Sequence, residues 1–300
     1  MDMTQNKCCR HGASLRRRRR RRRKILCFII FSCSIIAVAV FVAVGSSMIR
    51  SGDGRTNRYD VEAGNNTYDN AVIENSKISE KNKIQNNQSM LDDIMNSTQY
   101  PKQLKDLALK NEEALEFVYD YPAEHVKEHT IDLTEEASMD SVPLFVQWDK
   151  RWGYEKYSGN FFAASGCGPT TLSMVVVYLT HNRDASPIAV AKYSKEAGYS
   201  VDGSGSSWTL ISEGCMHYGV KAKAVALDES RMKAELDEGH PIVVNVGPGD
   251  FTDTGHFMVI TGYDDEGFSI NDPNSIEKSG KRWLFKNISS QIRAVWSMYV

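Results

Sequence analysis

A cysteine stands where Ser165-Gly166-Cys167-Gly168-Pro169-Thr170-Thr171 runs into the apolar stretch Leu172, Met174, Val175, Val176 and Leu179. The pattern predicts a turn passing into a helix, with Cys167 in the first turn. Pro169 suits an early helical position, because its missing N–H would find no intrahelical acceptor there. Gly166 and Gly168 leave room around the sulfur. A helix N-terminus carries partial positive charge, which favours thiolate over thiol. A thiolate is a nucleophile, so the motif fits covalent catalysis; it also fits a buried cysteine at an ordinary helix start.

Downstream, Gly255-His256-Phe257-Met258-Val259-Ile260-Thr261-Gly262-Tyr263-Asp264 reads as a histidine opening a mostly apolar strand, closed by the turn Asp264-Asp265-Glu266-Gly267. A short strand, Phe268-Ser269-Ile270, then leads into Asn271-Asp272-Pro273. An antiparallel return strand runs at hydrogen-bonding distance, so this hairpin can bring an acid beside the imidazole. Cys167, His256 and Asp272 would then act as nucleophile, base and orienting group. Asn271 could orient an imidazole equally well. Among the seven histidines, His181 and His217 sit near predicted helix ends, where a cation suits the dipole, and His240 at a strand entry is the local rival. His125 and His129, spaced i, i+4 with no further ligands nearby, read as solvent-exposed. Only His256 is followed directly by an acid-bearing hairpin.

Val142-Pro143-Leu144-Phe145-Val146-Gln147-Trp148-Asp149-Lys150-Arg151-Trp152, the Gly-Cys167-Gly-Pro-Thr-Thr run, Gly-His256-Phe-Met-Val-Ile and Asn-Asp272-Pro together resemble the C39-like cysteine peptidases of the papain-like clan. The resemblance covers about residues 141–300, with the four motifs in order. It implies an α+β, papain-like fold, with Cys167 as nucleophile, His256 as general base and acid, and Asp272 orienting the imidazole. It also implies that Gln147 helps form the oxyanion hole, although Gln147 could simply be a polar residue on a strand Leu144–Trp148.

The elements that must carry these residues are legible around them. After the Cys167 helix a second is expected over Pro187–Ala197, with Ser186 as cap and Gly198 as stop. A loop, Gly203–Ser207, precedes a helical stretch Ser207–Tyr218. Strands are predicted at Lys221–Ala226, Pro241–Val246, His256–Tyr263, Phe268–Ile270, Lys281–Phe285 and Ala294–Val300. A helix Glu229–Glu238, capped by Asp228, separates the first two. Helices first and strands afterwards is an α+β order, and residues 141–300 suffice for one well-buried domain. Trp148, Trp152, Tyr157 and Trp208 could line a cleft, though aromatics are more often core or rim. The loop Gly247–Thr254 could gate the cleft or be a plain connection.

Arg16 to Lys24 are nine consecutive basic residues, and Ile25 to Val44 are twenty residues without charge. That length matches the hydrocarbon core of a bilayer, and the basic flank orients residues 1–24 to the cytoplasm and everything after Val44 outward. A cleaved signal peptide is the competing reading, supported by the small residues near Ala43–Ser46 and opposed by the long basic block. Residues 1–24 carry a net charge of +10 within a chain of −2, so the remainder is acidic. An acidic exterior part argues against nucleic acid as a partner. Cys167 and Cys215 are the two exterior cysteines; a disulfide between them is disfavoured by the reactive-thiol setting of Cys167, and Cys215 reads as a small core residue. No cysteine spacing suggests a metal site.

Residues 45–98 read as a low-complexity stalk in which some helix within 71–95 can form. Residues 99–140 form a helical extension, with Leu104, Leu107, Ala108, Leu115, Phe117, Val118 and Tyr121 at roughly helical spacing between two Tyr-Pro pairs. It is either an accessory helix or a packed extension without a part in activity. The expected whole is a membrane-anchored, outward-facing cysteine peptidase acting on peptide or protein, with no metal, organic cofactor or ATP, since no phosphate-binding Gly-Lys-Ser/Thr loop is present. A peptidoglycan peptide amidase or endopeptidase of the same clan, and a catalytically silent peptide-binding surface domain, are its rivals. The second is disfavoured because a binding module needs no intact Cys, His and Asp.

Overall fold

The computed structural model describes residues 65–300, with side chains from Glu80 onward. The basic tail, the expected span Ile25–Val44 and the stalk as far as residue 64 lie outside the described residues. Among the described residues no helix is long and apolar enough to cross a membrane. Residues 72–300 form one compact unit.

Helix α1 covers Asn65–Asn96, so the described part of the expected stalk is helical. Near its end Ile94 is fully buried, with Met90 and Leu91 packed beside the same cluster. The extension that follows is not one helix. Helix α2 (Lys102–Lys110) ends at Asn111, whose backbone is extended (φ −135°, ψ 100°) and whose side chain caps the 3-10 turn Glu112–Ala114. Asparagine at such a junction gives its oxygen to an otherwise unpaired N–H, which favours a restart over continuation. Short helices α3 (Leu115–Tyr119), α4 (Tyr121–Glu124) and α5 (Thr134–Ser138) follow. Helix α4 stops at Glu124, so His125 and His129 share no helical face; His125 is exposed and stacks on Tyr121, whereas His129 is half-buried. Leu104, Leu107, Ala108, Ala114, Leu115, Phe117 and Val118 bury against Phe161 and Ala163 of the following domain.

The domain begins with an irregular segment where a strand Leu144–Trp148 is expected. No ladder forms there; instead the Gln147 N–H donates to Pro273 O at 2.7 Å. The hairpin β1 (Lys156–Tyr157) and β2 (Asn160–Phe161) leads into α6 (Phe162–Ser165) and α7 (Cys167–Thr180). Every residue of α7 from Gly168 to Val177 is buried, as befits a helix that is apolar nearly all round. Each of Leu172, Met174 and Val175 to Val177 contributes about 1.5–3 kcal/mol by leaving water. Helix α8 (Pro187–Glu196) has Ser186 as its cap, accepting from Ala189 N. The strand β3 (Ser200–Val201) precedes the expected loop Gly203–Ser207 and pairs with β4 (Gly205–Ser206), which lies within it. The helical stretch expected over Ser207–Tyr218 is broken at Glu213 into α9 (Thr209–Ser212) and a 3-10 turn Gly214–Tyr218.

The remaining chain builds an antiparallel sheet ordered β5-β10-β6-β7-β8-β9. Its strands are β5 (Lys221–Ala224), β6 (Ile242–Val246), β7 (His256–Asp264), β8 (Gly267–Asn271), β9 (Arg282–Trp283) and β10 (Ile292–Tyr299). Helices α10 (Glu229–Asp237), α11 (Ile276–Ser279) and α12 (Phe285–Ile288) connect them. The two-residue side-chain period of strands separates two cores. Val243, Phe257 and Val259 pack with α7, while Ile242, Val244, Met258 and Ile260 pack with Met232 and Leu236 of α10.

Candidate active site

Cys167 is the first residue of α7, with Gly166 as the preceding cap position. The first N–H groups of a helix have no intrahelical acceptor, so the backbone N–H of Cys167 is available to a ligand beside its own sulfur. The two flanking glycines are required by close approach rather than by space around the sulfur. A Cβ on Gly166 would lie 2.6 Å from the Phe162 ring, and one on Gly168 would lie 2.5 Å from Ser206 Oγ and 2.7 Å from Ser206 Cβ. Ser206 is held in turn by the buried Tyr157 hydroxyl at 2.6 Å. Trp152 and Tyr157 are core residues and Trp148 is half-buried, whereas Trp208 is 48% exposed.

His256 opens β7 and is joined to α7 by a polar tie one turn along the helix. Thr171, four residues after Cys167, donates its hydroxyl to the Phe257 carbonyl at 3.1 Å. On the other side of β7, Asn245 Nδ2 donates to the His256 carbonyl at 3.2 Å. The backbone that carries the imidazole is thus pinned from both neighbours. In the β7–β8 ladder Val259 opposes Asn271, the last residue of β8, and the chain leaves the sheet at Asp272. His256 Nε2 donates to Asp272 Oδ1 at 2.7 Å, with Asp272 fully buried. Asn271 instead donates its amide to the carbonyls of Val142 (3.1 Å) and Pro143 (3.0 Å). Its amide is thus spent on the segment that leads to Gln147, and Asp272 is the partner of the imidazole.

With Nε2 occupied by Asp272, the ring's other nitrogen, Nδ1, is the one left for Cys167, and each of the two side chains shifts the other's titration. Burial opposes charge on the sulfur, but the His256 imidazolium and backbone hydrogen bonds from Phe257 and Gly168 overcome it, holding the Cys167 thiol below its usual range. Burial likewise opposes charge on the imidazole, yet Asp272 and then Cys167 push His256 up to about 10. The pair is poised as thiolate and imidazolium, the arrangement in which a cysteine is most nucleophilic.

Gln147 is buried, and its amide nitrogen donates to Ala163 O at 2.7 Å and to Asn274 Oδ1 at 3.3 Å. Its Oε1 has no partner among the described residues, and neither has Asp272 Oδ2. Gln147 is thereby tied both to α6, one residue before the turn into Cys167's helix begins to close, and to the Asp272 turn. Release of the longer bond would free an amide proton.

The other candidates lie elsewhere. His181 caps α7 in the left-handed region (φ 57°), with Nδ1 on Ala137 O, His217 stacks on Tyr193, and His240 pairs with Glu235. Cys215 is buried and unbridged, its thiol pushed up to about 11 by burial, and Cys167 is also free. Loop Gly247–Thr254 is anchored by reciprocal bonds between Gln291 and Asp250, with Phe251 buried. Among the described residues no group of three or more His, Cys, Asp or Glu side chains could hold a metal ion.

The sequence reasoning passed over Thr171, Asn245 and Asn274. Two of these had a signal: Thr171 sits one helical turn from the cysteine, and Asn245 is the lone polar residue of an otherwise apolar strand. Asn274 had none, because its importance arises from partners distant in sequence.

Comparison with known proteins bears on this arrangement. The peptidase domain of Streptococcus ComA, a bi-functional ABC transporter involved in a quorum sensing pathway, is 19% identical over 53% of this chain and 96% of its own, with a TM-score of 0.38. A Bacillus anthracis protein described as a C39-like peptidase is 16% identical over 53% of this chain and 95% of its own, with a TM-score of 0.34. The comparison with curated proteins gives no match. Residues 139–300 match the model of the Peptidase_C39 like family, more than half of the chain, and the chain belongs to that family.

Proposed function

We propose that this protein is a cysteine peptidase in which Cys167, His256 and Asp272 hydrolyse a peptide bond through a thioester. The observation that carries the reading is the buried 2.7 Å bond between His256 and Asp272, with the His256 imidazolium holding the Cys167 thiol below its usual range. The Cys167 thiolate attacks the scissile carbonyl carbon, and its oxygen takes up the negative charge. The Cys167 N–H and the Gln147 amide are the donors to that oxygen, Gln147 turning from Asn274 to do so. The carbon–nitrogen bond breaks as the His256 imidazolium gives its Nδ1 proton to the leaving amine. Water then attacks the thioester carbonyl while His256 takes its proton, and the thiolate departs. Asp272 holds the ring so that Nδ1 faces sulfur at each stage.

The substrate class is peptide or protein, as family membership implies. The site would work on the outer face of a membrane, anchored through Ile25–Val44 with residues 1–24 inside; the basic flank and the uncharged stretch in the sequence support this placement. A thiol-reactive peptide probe tests the catalytic reading. Labelling of Cys167 at neutral pH, lost in His256→Ala, together with hydrolysis of a peptide mixture lost in Cys167→Ala, is the expected result. Equal labelling in wild type and His256→Ala would refute it. Protease protection in intact cells tests the topology: cleavage of residues 65–300 from outside is expected, and full protection would overturn the placement.

A further inference from the structure

The turn that carries Asp272 is held by residues that the family match does not include. Past β8, residues 272–277 leave the sheet, joined only by the bridge Asp272↔Ser275. Asn111 Nδ2 donates to Asn274 O at 2.9 Å and to Asn274 Oδ1 at 3.1 Å. Glu113 takes three donors from the same turn: Ser275 Oγ, Ile276 N at 2.7 Å and Glu277 N at 3.1 Å. Those N–H groups open the one-turn helix α11 and have no intrahelical acceptor, so a carboxylate is favoured there.

We propose that Asn111 and Glu113 are positioning residues that clamp the Asp272 turn, so that the extension before residue 139 completes the catalytic geometry rather than merely preceding it. This rests on the Cys167–His256–Asp272 reading above. The two clamp residues are set in one rigid turn: Asn111 Oδ1 accepts from Glu113 N at 3.0 Å, and Asn87 Nδ2 donates to Glu112 at 2.8 Å. That turn is seated on Phe161 and Ala163 by Ala114, Leu115, Phe117 and Val118. Asn274 is the junction, since its Oδ1 accepts from both Asn111 and Gln147. Loosening Asn111 and Glu113 therefore disturbs the imidazole's partner and the oxyanion donor through one turn. From within the domain the turn is held by Gln147 N–H to Pro273 O at 2.7 Å and Trp148 Nε1 to Asn274 O at 3.3 Å. The other bonds of Asp272, Oδ1 from Asn274 N at 2.8 Å and N–H to Ser279 Oγ at 2.9 Å, stay within the turn and α11; the contacts to residues 275–277 come from Glu113.

The test uses the full chain and iodoacetate, whose carboxylate the His256 imidazolium draws to the thiolate, so that modification of Cys167, followed by peptide mapping from about pH 5 to 10.5, falls as the imidazole loses its proton. The charged groups bearing on His256 are Asp272 and Cys167. Withdrawal of an opposite charge at such range shifts a titration by about 1–3 units. Glu113→Ala and Asn111→Ala are expected to move the alkaline limb of the alkylation profile down by about one pH unit or more, with Glu113→Gln intermediate. In an Asp272→Asn background the same substitutions should add no further shift, as coupled residues do. Melting temperatures measured in parallel separate folding from positioning, and Glu113→Gln carries the test if the alanine variant fails to fold. A lowered melting temperature with an unmoved alkaline limb overturns the clamp while leaving the catalytic reading intact. A wild-type profile that rises only as a free thiol does, with no alkaline limb, overturns both.

Discussion

Gly168→Ala tests how tightly the nucleophile's position is set. The added methyl would lie 2.5 Å from Ser206 Oγ and 2.7 Å from Ser206 Cβ, well inside contact distance. Ser206 cannot simply swing away, because its backbone pairs with Ser200 and its hydroxyl with Tyr157. Overpacking of this kind costs about 1–3 kcal/mol, offset by up to about 1 kcal/mol from the gain in helix propensity. The net loss of about 1–2 kcal/mol should lower the melting temperature by several degrees. The larger effect falls on catalysis: the start of α7 must move, and displacement of a nucleophile by about 1 Å costs roughly 10²-fold in kcat/KM. Ser206→Gly removes both clashing atoms. The double variant should regain most of the activity but not the melting temperature, since it loses the Tyr157 hydrogen bond, worth about 1 kcal/mol. Peptide hydrolysis and thermal melts on the single and double variants decide the matter. Full activity in Gly168→Ala, or a double variant as inactive as the single, would refute the reasoning.

Native stability should be level across neutral pH and fall on both sides. The raised His256 contributes stability that is complete below about 6.5 and is lost as pH rises through about 10. The lowered Cys167 contributes stability present above its unfolded value and lost as pH falls through its folded one, so between the two unfolded values the slopes cancel. Urea unfolding of wild type should show this plateau, whereas Cys167→Ala should decline from about pH 6.5 upward; a plateau kept in that variant would contradict the ion pair. Gln147→Ala should lower kcat by about 10–10²-fold, somewhat below the usual loss of an oxyanion donor because the Cys167 N–H remains, and should leave the alkaline limb of the pH–rate profile in place. A shifted limb would instead assign Gln147 to holding the Asp272 turn. Gly153→Ala would bring a Cβ within 2.7 Å of the Phe117 ring and should destabilise the packing of the extension by about 1–3 kcal/mol, read as faster limited proteolysis of residues 99–140. Unchanged proteolysis would show that Phe117 yields without cost.

The sequence alone determined the local elements around the chemistry. A proline and two glycines about Cys167 announce a helix start, and the Val-, Ile- and aromatic-rich runs Pro241–Val246 and His256–Tyr263 announce strands. These signals are local because they arise from backbone preferences and neighbouring side chains, and the helix α7 and strands β6, β7 and β8 lie where such preferences put them. Where helical spacing runs on in the sequence, as over Leu104–Tyr121 and Ser207–Tyr218, single residues break it: Asn111 by capping a new turn, and Glu213 by leaving helical backbone angles. Tertiary structure alone decided that Asp272 and not Asn271 meets the imidazole, because β8 ends at Asn271, whose amide is taken by the Val142 and Pro143 carbonyls, while Asp272 turns out of the sheet onto the His256 ring. It alone joined Asn111 and Glu113 to a turn more than a hundred and fifty residues away. Hydrogen bonds across such separations leave no period in the chain; they exist only once burial of Phe117 and Val118 has brought the two segments together.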